Sequence, residues 1–489
     1  MSVGLIIFLI VSYFGVLMLI AQFTSRNSNT QTFFNANKQS PWYLVAFGMI
    51  GTSISGVTFI SIPGAVLNDQ FAYFQIVLGY LLGYLVIATV LLPLYYRLNL
   101  VSIYTYLEQR FGYWSYKTGA FFFLLSRTIG SAFRLFLAAT VLQVGLFDNL
   151  GVPFWLTTLI SIFLIWIYTY QGGIKTIVWT DTLQTAFLIT AGVVSVILIK
   201  DELGLSFTGL VSTISESNYS KTFYFGEWSQ PNSFTKQFLS GAFITIVMTG
   251  LDQDMMQKNL TCRNLKDAQK NMFWFSVVLV LVNIVFLSLG ALLYIYAQEK
   301  GIDLPMKDGK IITDKVYPFL AFNHFSLLAG IAFLLGIIAS TYASSDSALA
   351  ALTPSFSVDI LEVSKKEESQ RKRIVRRVHV GFSLVLVIVI LIFKMISDAY
   401  PESNVIGNLF KAAGYTYGPL LGLYAFGLFT KFQVKDGWVP LVCLLSPVLS
   451  YILNTNSKEW LWGYQFGFEI GIVNALFTFI GLLILVKRK

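Results

Sequence analysis

Between Gly51 and Gly64 the chain reads GTSISGVTFISIPG, which places three glycines, five hydroxyl side chains and a proline inside a hydrophobic run extending from about Trp42 to Val66. A run of that length can cross a bilayer, yet a lipid-facing helix would carry leucine where these residues stand. The segment is therefore expected to break at mid-membrane. Carbonyls released at a break can coordinate a cation, and released N–H groups can bind a polar solute, provided the break faces protein or water. The alternative is a tight helix seam, because small residues and hydroxyls also let backbones approach closely.

Other apolar segments carry polar groups of matching chemistry. Ser340-Thr341-Tyr342-Ala343-Ser344-Ser345-Asp346-Ser347 is the densest cluster, and Ser340, Ser344 and Ser347 share a helical face. Hydroxyls beside one carboxylate are hard oxygen ligands, suited to an alkali cation rather than a transition metal. Trp179-Thr180-Asp181 and Gln184 follow a Gly172-Gly173 turn. They read equally as a helix N-cap or as part of a cation site. Arg127 and Arg134, seven apart on one face, lie deep in an apolar run. Intramembrane charge is costly and faces a cavity or a partner. Met248-Thr249-Gly250-Leu251-Asp252-Gln253-Asp254 interrupts another run. Asp252 and Asp254 alternatively mark only the inner end of that helix.

The elements that must position these groups follow from composition. With 55% hydrophobic, 16% aromatic and 12% charged residues and a mean hydropathy of +0.68, the 489 residues describe a polytopic membrane protein. Thirteen spans are expected, at about 3–23, 42–67, 72–96, 117–145, 152–170, 177–199, 235–258, 270–298, 324–356, 378–396, 404–430, 436–455 and 464–487. The longer connections are the polar and aromatic 200–234, the mixed-charge 299–323 and the strongly basic 357–377. Spans 2 and 7 are the interrupted ones, five apart, which is the pointer to an inverted repeat with a midplane site. A single transmembrane domain, 1–489, is thus expected: a peripheral helix at 3–23, repeats at 42–199 and 235–430, and peripheral helices at 436–487. Val3 to Ala21 lacks a basic n-region and a small-residue cleavage site, so it reads as a retained helix.

The net charge of +9 does not imply nucleic acid, since the bases sit in short loops. With the N-terminus outside, the inner loops hold Arg26 and Lys38; Arg97, Arg110 and Lys117; Lys175; and Lys258, Arg263, Lys266 and Lys270. Lys365, Lys366, Arg371, Lys372, Arg373, Arg376 and Arg377 follow, then Lys487, Arg488 and Lys489. Outer connections such as Leu67 to Gln70 and Asp398 to Ser403 hold no base, and only 299–323 runs against the trend, with four lysines accompanied by acids. The bias favours an outside N-terminus and a cytoplasmic C-terminus. The basic 357–377 loop could also touch anionic lipid. Cys262 and Cys443 are too few for a disulfide framework, and His324 and His379 cannot build a histidine metal site.

With these features in view, the chain resembles the sodium/solute symporter family, which includes the sodium–glucose, sodium–proline and sodium–sialic acid transporters. The resemblance covers almost the whole length and is carried by SISGVTFISIPG, TYLEQRFG, GGIKTIVWTDTLQ, QDMMQKNL and SSDSALAALTPSFSVDI. It implies an all-α polytopic fold of about thirteen helices with an inverted five-helix repeat core. It also implies a main sodium site between helices 2 and 9, with carbonyls of Gly51, Ile54 and Ser340 and hydroxyls from a serine pair. That pair here falls on Ala343 and Ser344, so one hydroxyl ligand is missing. A second sodium site in some relatives implies Asp181 and Ser347 as ligands, with Asp346 standing where a relative has a hydroxyl. The solute is implied beside the break, facing Ser53, Ser55, Thr58 and Gln75, with Arg134 a natural partner for a carboxylate. Sialic acid or another acidic sugar fits that set. If an arginine of helix 4 instead pairs with Asp346 or Asp181, a neutral sugar or polyol fits.

The expected function is sodium-coupled import of a small organic solute by alternating access, by a protein working as a monomer in the bilayer of a bacterial inner membrane. Amino acids, monocarboxylates and polyols are the other solute classes. An ion channel would need a filter repeat, and none is present. An enzyme is not expected, because the chain has no HExxH and no GxSxG. A sensor would need a large appended soluble domain, which is not expected here.

Overall fold

The computed structural model describes residues 3–25, 39–100, 102–169, 173–226, 228–363, 366–400 and 405–487. Arg26, Lys38, Gly172, Lys365, Ser403, Arg488 and Lys489, named above, lie outside them. Helices occupy the places of all the expected spans. In chain order they are α1 (Val3–Ser25), α2a (Trp42–Ser53) with α2b (Gly56–Asp69), α3 (Tyr73–Arg97), α4 (Tyr113–Phe147), α5 (Phe154–Thr169), α6 (Gly173–Glu202), and α7a (Phe234–Gly250) with α7b (Gln253–Asn259). After them come α8 (Leu265–Glu299), α9 (Leu327–Ile360), α10 (Glu368–Ala399), α11 (Val405–Phe429), α12 (Val439–Thr455) and α13 (Ile470–Ile484). Among the described residues, eight helices are long and apolar enough to cross a membrane, or ten if each bent pair is one span. The polytopic all-α class holds, while a full thirteen crossings stays an expectation.

Both interrupted helices are broken. α2a stops where the Ile54 N–H donates to Ile50 O at 2.7 Å, Ser55 is extended, and α2b starts at an angle of 55°. The break leaves the carbonyls of the last α2a turn, Gly51 among them, without the next turn of a continuing helix. Gly56 is required there, because a Cβ would lie 2.5 Å from Thr341 Oγ1 and 3.1 Å from Ile337 Cδ1 of α9. α7a ends at Gly250, and α7b leaves at 70° with Asp252 as its N-cap, the carboxylate accepting from the N–H groups of Asp254 (3.0 Å) and Met255 (3.2 Å).

Small residues also make seams. A Cβ on Gly51 would collide with Thr185 Oγ1 of α6, and one on Gly48 would lie 3.3 Å from Asp181 Cβ. α3 and α7a meet in the same way, with Gly79 against Phe238 O and Gly241 against Ile76 O. The 51–64 stretch thus combines the two alternatives, a seam at Gly51 and a break at Ser55. α1 lies at the edge, where Tyr13 meets Phe187 of α6 and Phe14 meets Tyr342 of α9, each edge-on.

The long connections are structured. Phe207–Glu216 is a helix capped by Ser206, and the 217–234 segment folds back on the α2b–α3 turn, where Phe71 N–H donates to Lys221 O at 3.0 Å. The 299–323 connection forms a hairpin, Met306–Lys307 with Lys310–Ile311, then the helix Thr313–Asn323. Most of the expected 357–377 loop is helical, divided between the end of α9 and the start of α10.

Gly51→Ala should lower the melting temperature in detergent, since inserting a methyl into a packed seam costs about 1–3 kcal/mol. Adding Thr185→Ala should return part of the loss by removing the colliding hydroxyl. No loss in the single variant would mean that α2a and α6 can part without cost.

Candidate functional site

A cavity opens beside the α2 break. Ser53, Ser55 and Thr58 line it, as do Tyr73, Tyr80 and Tyr84 of α3, Arg127 and Arg134 of α4, and Phe410 of α11. Tyr73 stacks on Phe410 with centroids 6.3 Å apart, and its hydroxyl lies 2.8 Å from that of Tyr80. Apolar walls come from Val57, Ile244, Leu279 and Leu409. Hydroxyls and guanidinium groups set among apolar side chains can fix the orientation of a small polar solute.

The two arginines differ in their partners. Arg127 is ion-paired to Asp254 and lies 3.6 Å from Asp252, whose carboxylate, besides capping α7b, accepts from the Tyr417 hydroxyl at 2.9 Å. Arg134 is 7% exposed, and its Nε and Nη1 have no hydrogen-bond partner among the described residues. A buried guanidinium with open donors is matched by a bidentate carboxylate. The alternative in which an α4 arginine pairs with Asp346 or Asp181 is replaced by a different pairing: Arg127 takes Asp252 and Asp254, because the turn between α7a and α7b brings them onto α4. They do more than mark a helix end.

Gln75 is not among the cavity residues. Its side chain is fully buried under the 217–234 segment, donating to Asn232 O at 3.1 Å and accepting from Tyr224 N–H at 3.0 Å. It anchors that segment. A solute contact from Gln75 is therefore not what this geometry offers.

At the expected cation site, the α2 break meets α9 beside Ser340 and Thr341, and a Cβ on Gly56 would be 3.6 Å from Ser340 Oγ. Ile54, Ser340, Ala343 and Ser344 are all fully buried. Ser344 Oγ donates to Thr341 O at 2.9 Å, and Thr341 Oγ1 has no partner among the described residues. Ala343 has no hydroxyl to offer, so Thr341 is an additional oxygen at this junction. It was missed because its face was assigned by serine spacing alone.

Asp181 is not an N-cap, because α6 begins at Gly173, well before it. Its carboxylate meets a partner that the topology reading placed in a loop. Lys258 is 2% exposed at its side chain and donates to Asp181 Oδ2 at 2.7 Å, Thr52 Oγ1 at 2.5 Å and Ser347 Oγ at 2.8 Å. Thr52 and Ser347 hydroxyls also donate to Asp181 Oδ2, at 3.0 and 3.3 Å, while Oδ1 has no hydrogen-bond partner among the described residues. Asp346 is fully buried and accepts from the Ser347 N–H at 2.5 Å. Lys258 lies 3.8 Å from Asp254, one helical turn away on α7b. That i, i+4 Asp–Lys pair after an interrupted helix was the available signal. No His, Cys, Asp and Glu cluster suited to a metal ion occurs among the described residues.

These features define a polytopic helical transporter, with two broken helices around a polar cavity. The model of the sodium:solute symporter family matches residues 33–437, and the chain belongs to that family. It is 25% identical over 429 residues to the sodium/sialic acid symporter NanT of Aliivibrio fischeri, covering 86% of this chain and 82% of that protein. It is 24% identical to the sodium/sialic acid symporter SiaT of Proteus mirabilis, covering 86% and 83%. The human sodium/iodide cotransporter is 24% identical over 82% of this chain and 61% of its own length. Among solved structures, a Na+-coupled sialic acid symporter in a substrate-bound outward-open state matches with a TM-score of 0.81, 19% identity and 99% coverage of both chains. At that identity the likeness is one of fold.

Arg127→Met should cost about 3–5 kcal/mol of stability by leaving Asp252 buried without a cation and Asp254 with only the more distant Lys258. Arg134→Met should leave thermal unfolding in detergent near that of the parent. Equal losses in both variants would mean that Arg134 also carries a structural ion pair.

Proposed function

We propose that the chain is a sodium-coupled symporter for a small organic solute bearing a carboxylate, with sialic acid or another acidic sugar as the leading substrate. The observation that carries the substrate class is Arg134, buried in the cavity wall with two nitrogens unpaired, across from hydroxyls at the α2 break. Arg127 has its own carboxylates, so the polyol alternative loses the pairing that favoured it. Two relatives named as sodium/sialic acid symporters agree with this choice.

Sodium is assigned to the α2–α9 junction, with carbonyls of Gly51, Ile54 and Ser340 and the Ser344 hydroxyl as ligands. Ser53, Ser55 and Thr58 would hold solute hydroxyls. The halves 42–199 and 235–430 would rock about this site. The N-terminus would face outside and the basic loops the cytoplasm of a bacterium, the protein acting as a monomer in its inner membrane. One net charge moving through about 100 mV contributes roughly 2.3 kcal/mol, enough for about fifty-fold accumulation before the sodium gradient is added.

Counterflow of labelled sialic acid, proline, lactate and inositol into proteoliposomes, with sodium or choline, tests the reading. Sodium-dependent exchange of the acidic sugar is expected, and exchange indifferent to sodium would overturn it. Arg134→Ala should weaken an acidic substrate by about 2–5 kcal/mol, thirtyfold or more, in folded protein. Ser344→Ala should raise the sodium half-saturation while leaving the substrate constant at saturating sodium unchanged. The opposite pattern would move the cation away from α9.

A further inference from the structure

Taking the sodium-symport reading as its basis, we propose that the Lys258 ammonium is the resident cation of the Asp181 site. It fills the position of a second sodium ion, so the chain couples one sodium ion to each solute.

An ammonium has three N–H donors, and all three are used: by a carboxylate on α6, a hydroxyl on α2a and a hydroxyl on α9, at 2.7, 2.5 and 2.8 Å. Those are the oxygen types that a small alkali ion would take, and Asp181 of α6 and Ser347 of α9 are the two ligands that the resemblance implies for a second sodium ion. The side chain is sealed from solvent. Its presence is built into the backbone. Gly48 and Gly51 let α2a close onto α6, which puts Thr52 on Asp181, and the 70° turn before α7b aims Lys258 into the same space. A sodium ion sharing the Asp181 carboxylate would stand beside this ammonium in a dry interior, where like charges repel strongly. The tethered group also cannot diffuse away, so it competes as an intramolecular ligand.

Lys258 joins a line of alternating charge. Arg127 borders the cavity and pairs with Asp254, which lies 3.8 Å from Lys258, which pairs with Asp181. With a neutral residue at 258, both aspartates would lack this partner, and a free cation would be drawn to the Asp181 oxygens.

The test is sodium titration of the purified full-length protein in detergent by calorimetry, with choline chloride as the control. The parent should bind one sodium ion per chain, Lys258→Ala two, and Lys258→Arg one. Asp181→Asn in the Lys258→Ala background should lose the second ion. Melting temperature read in the same buffers should show Lys258→Ala rising with sodium more steeply than the parent. Should Lys258→Ala fail to fold in any salt, the parent decides alone: one ion supports the proposal and two overturn it. Two ions in the parent with one lost in Asp181→Asn would overturn it while leaving sodium symport intact. No sodium binding by folded parent would overturn the symport reading itself.

Discussion

A charge inside an apolar bundle must be neutralised by another group of the chain, and this protein meets that requirement with a line of four alternating charges across three helices. Arg127 of α4, Asp254 and Lys258 of α7b and Asp181 of α6 alternate in sign, each within ion-pair distance of the next. Removing one member leaves its neighbours as uncompensated buried charges, a loss far larger than the net worth of an intact pair. The line therefore acts as a constraint on helix placement. α4, α6 and α7b cannot separate without exposing a charge to hydrocarbon. Arg134 stands outside the line, one charge with open donors beside the cavity.

The breaks make that arrangement possible. A continuous seventh helix would carry Asp252, Asp254 and Lys258 straight on past the bundle, whereas the 70° turn lays α7b beneath α2a, α4 and α6. The break in α2 serves a different purpose. It frees carbonyls in the middle of the protein and sets Ser53, Ser55 and Thr58 on the cavity wall, while Gly56 allows contact with α9. Glycine thus serves close approach, at Gly48 and Gly51 toward α6 and at Gly56 toward α9.

The ends of the cavity-forming helices are tied as firmly as their middles. Gln75 and Gln70 bind the 217–234 segment over the α2b–α3 turn, with Gln70 donating to Asn218 O at 2.6 Å. The stacked Tyr73 and Phe410 rings line the cavity.

Hydropathy and period determined the helical class, the places of the helices and the two interruptions, because each depends on local composition: apolar runs to span, glycine and hydroxyls to break. The same locality made Arg127, Arg134, Asp181 and Asp252 visible as costly residues in apolar surroundings. Which charge meets which was decided only by the tertiary structure. Lys258 reads as a loop base at the end of a span, since nothing local shows that a 70° turn folds its helix inward. Gln75, placed by resemblance beside the solute, is captured by a segment about 150 residues further along the chain. Asp181 resembles a cap until the start of α6 is seen at Gly173. Spacing along one helix tells which residues share a face, whereas the partner across that face depends on how separate helices pack, and no single stretch of sequence contains that information.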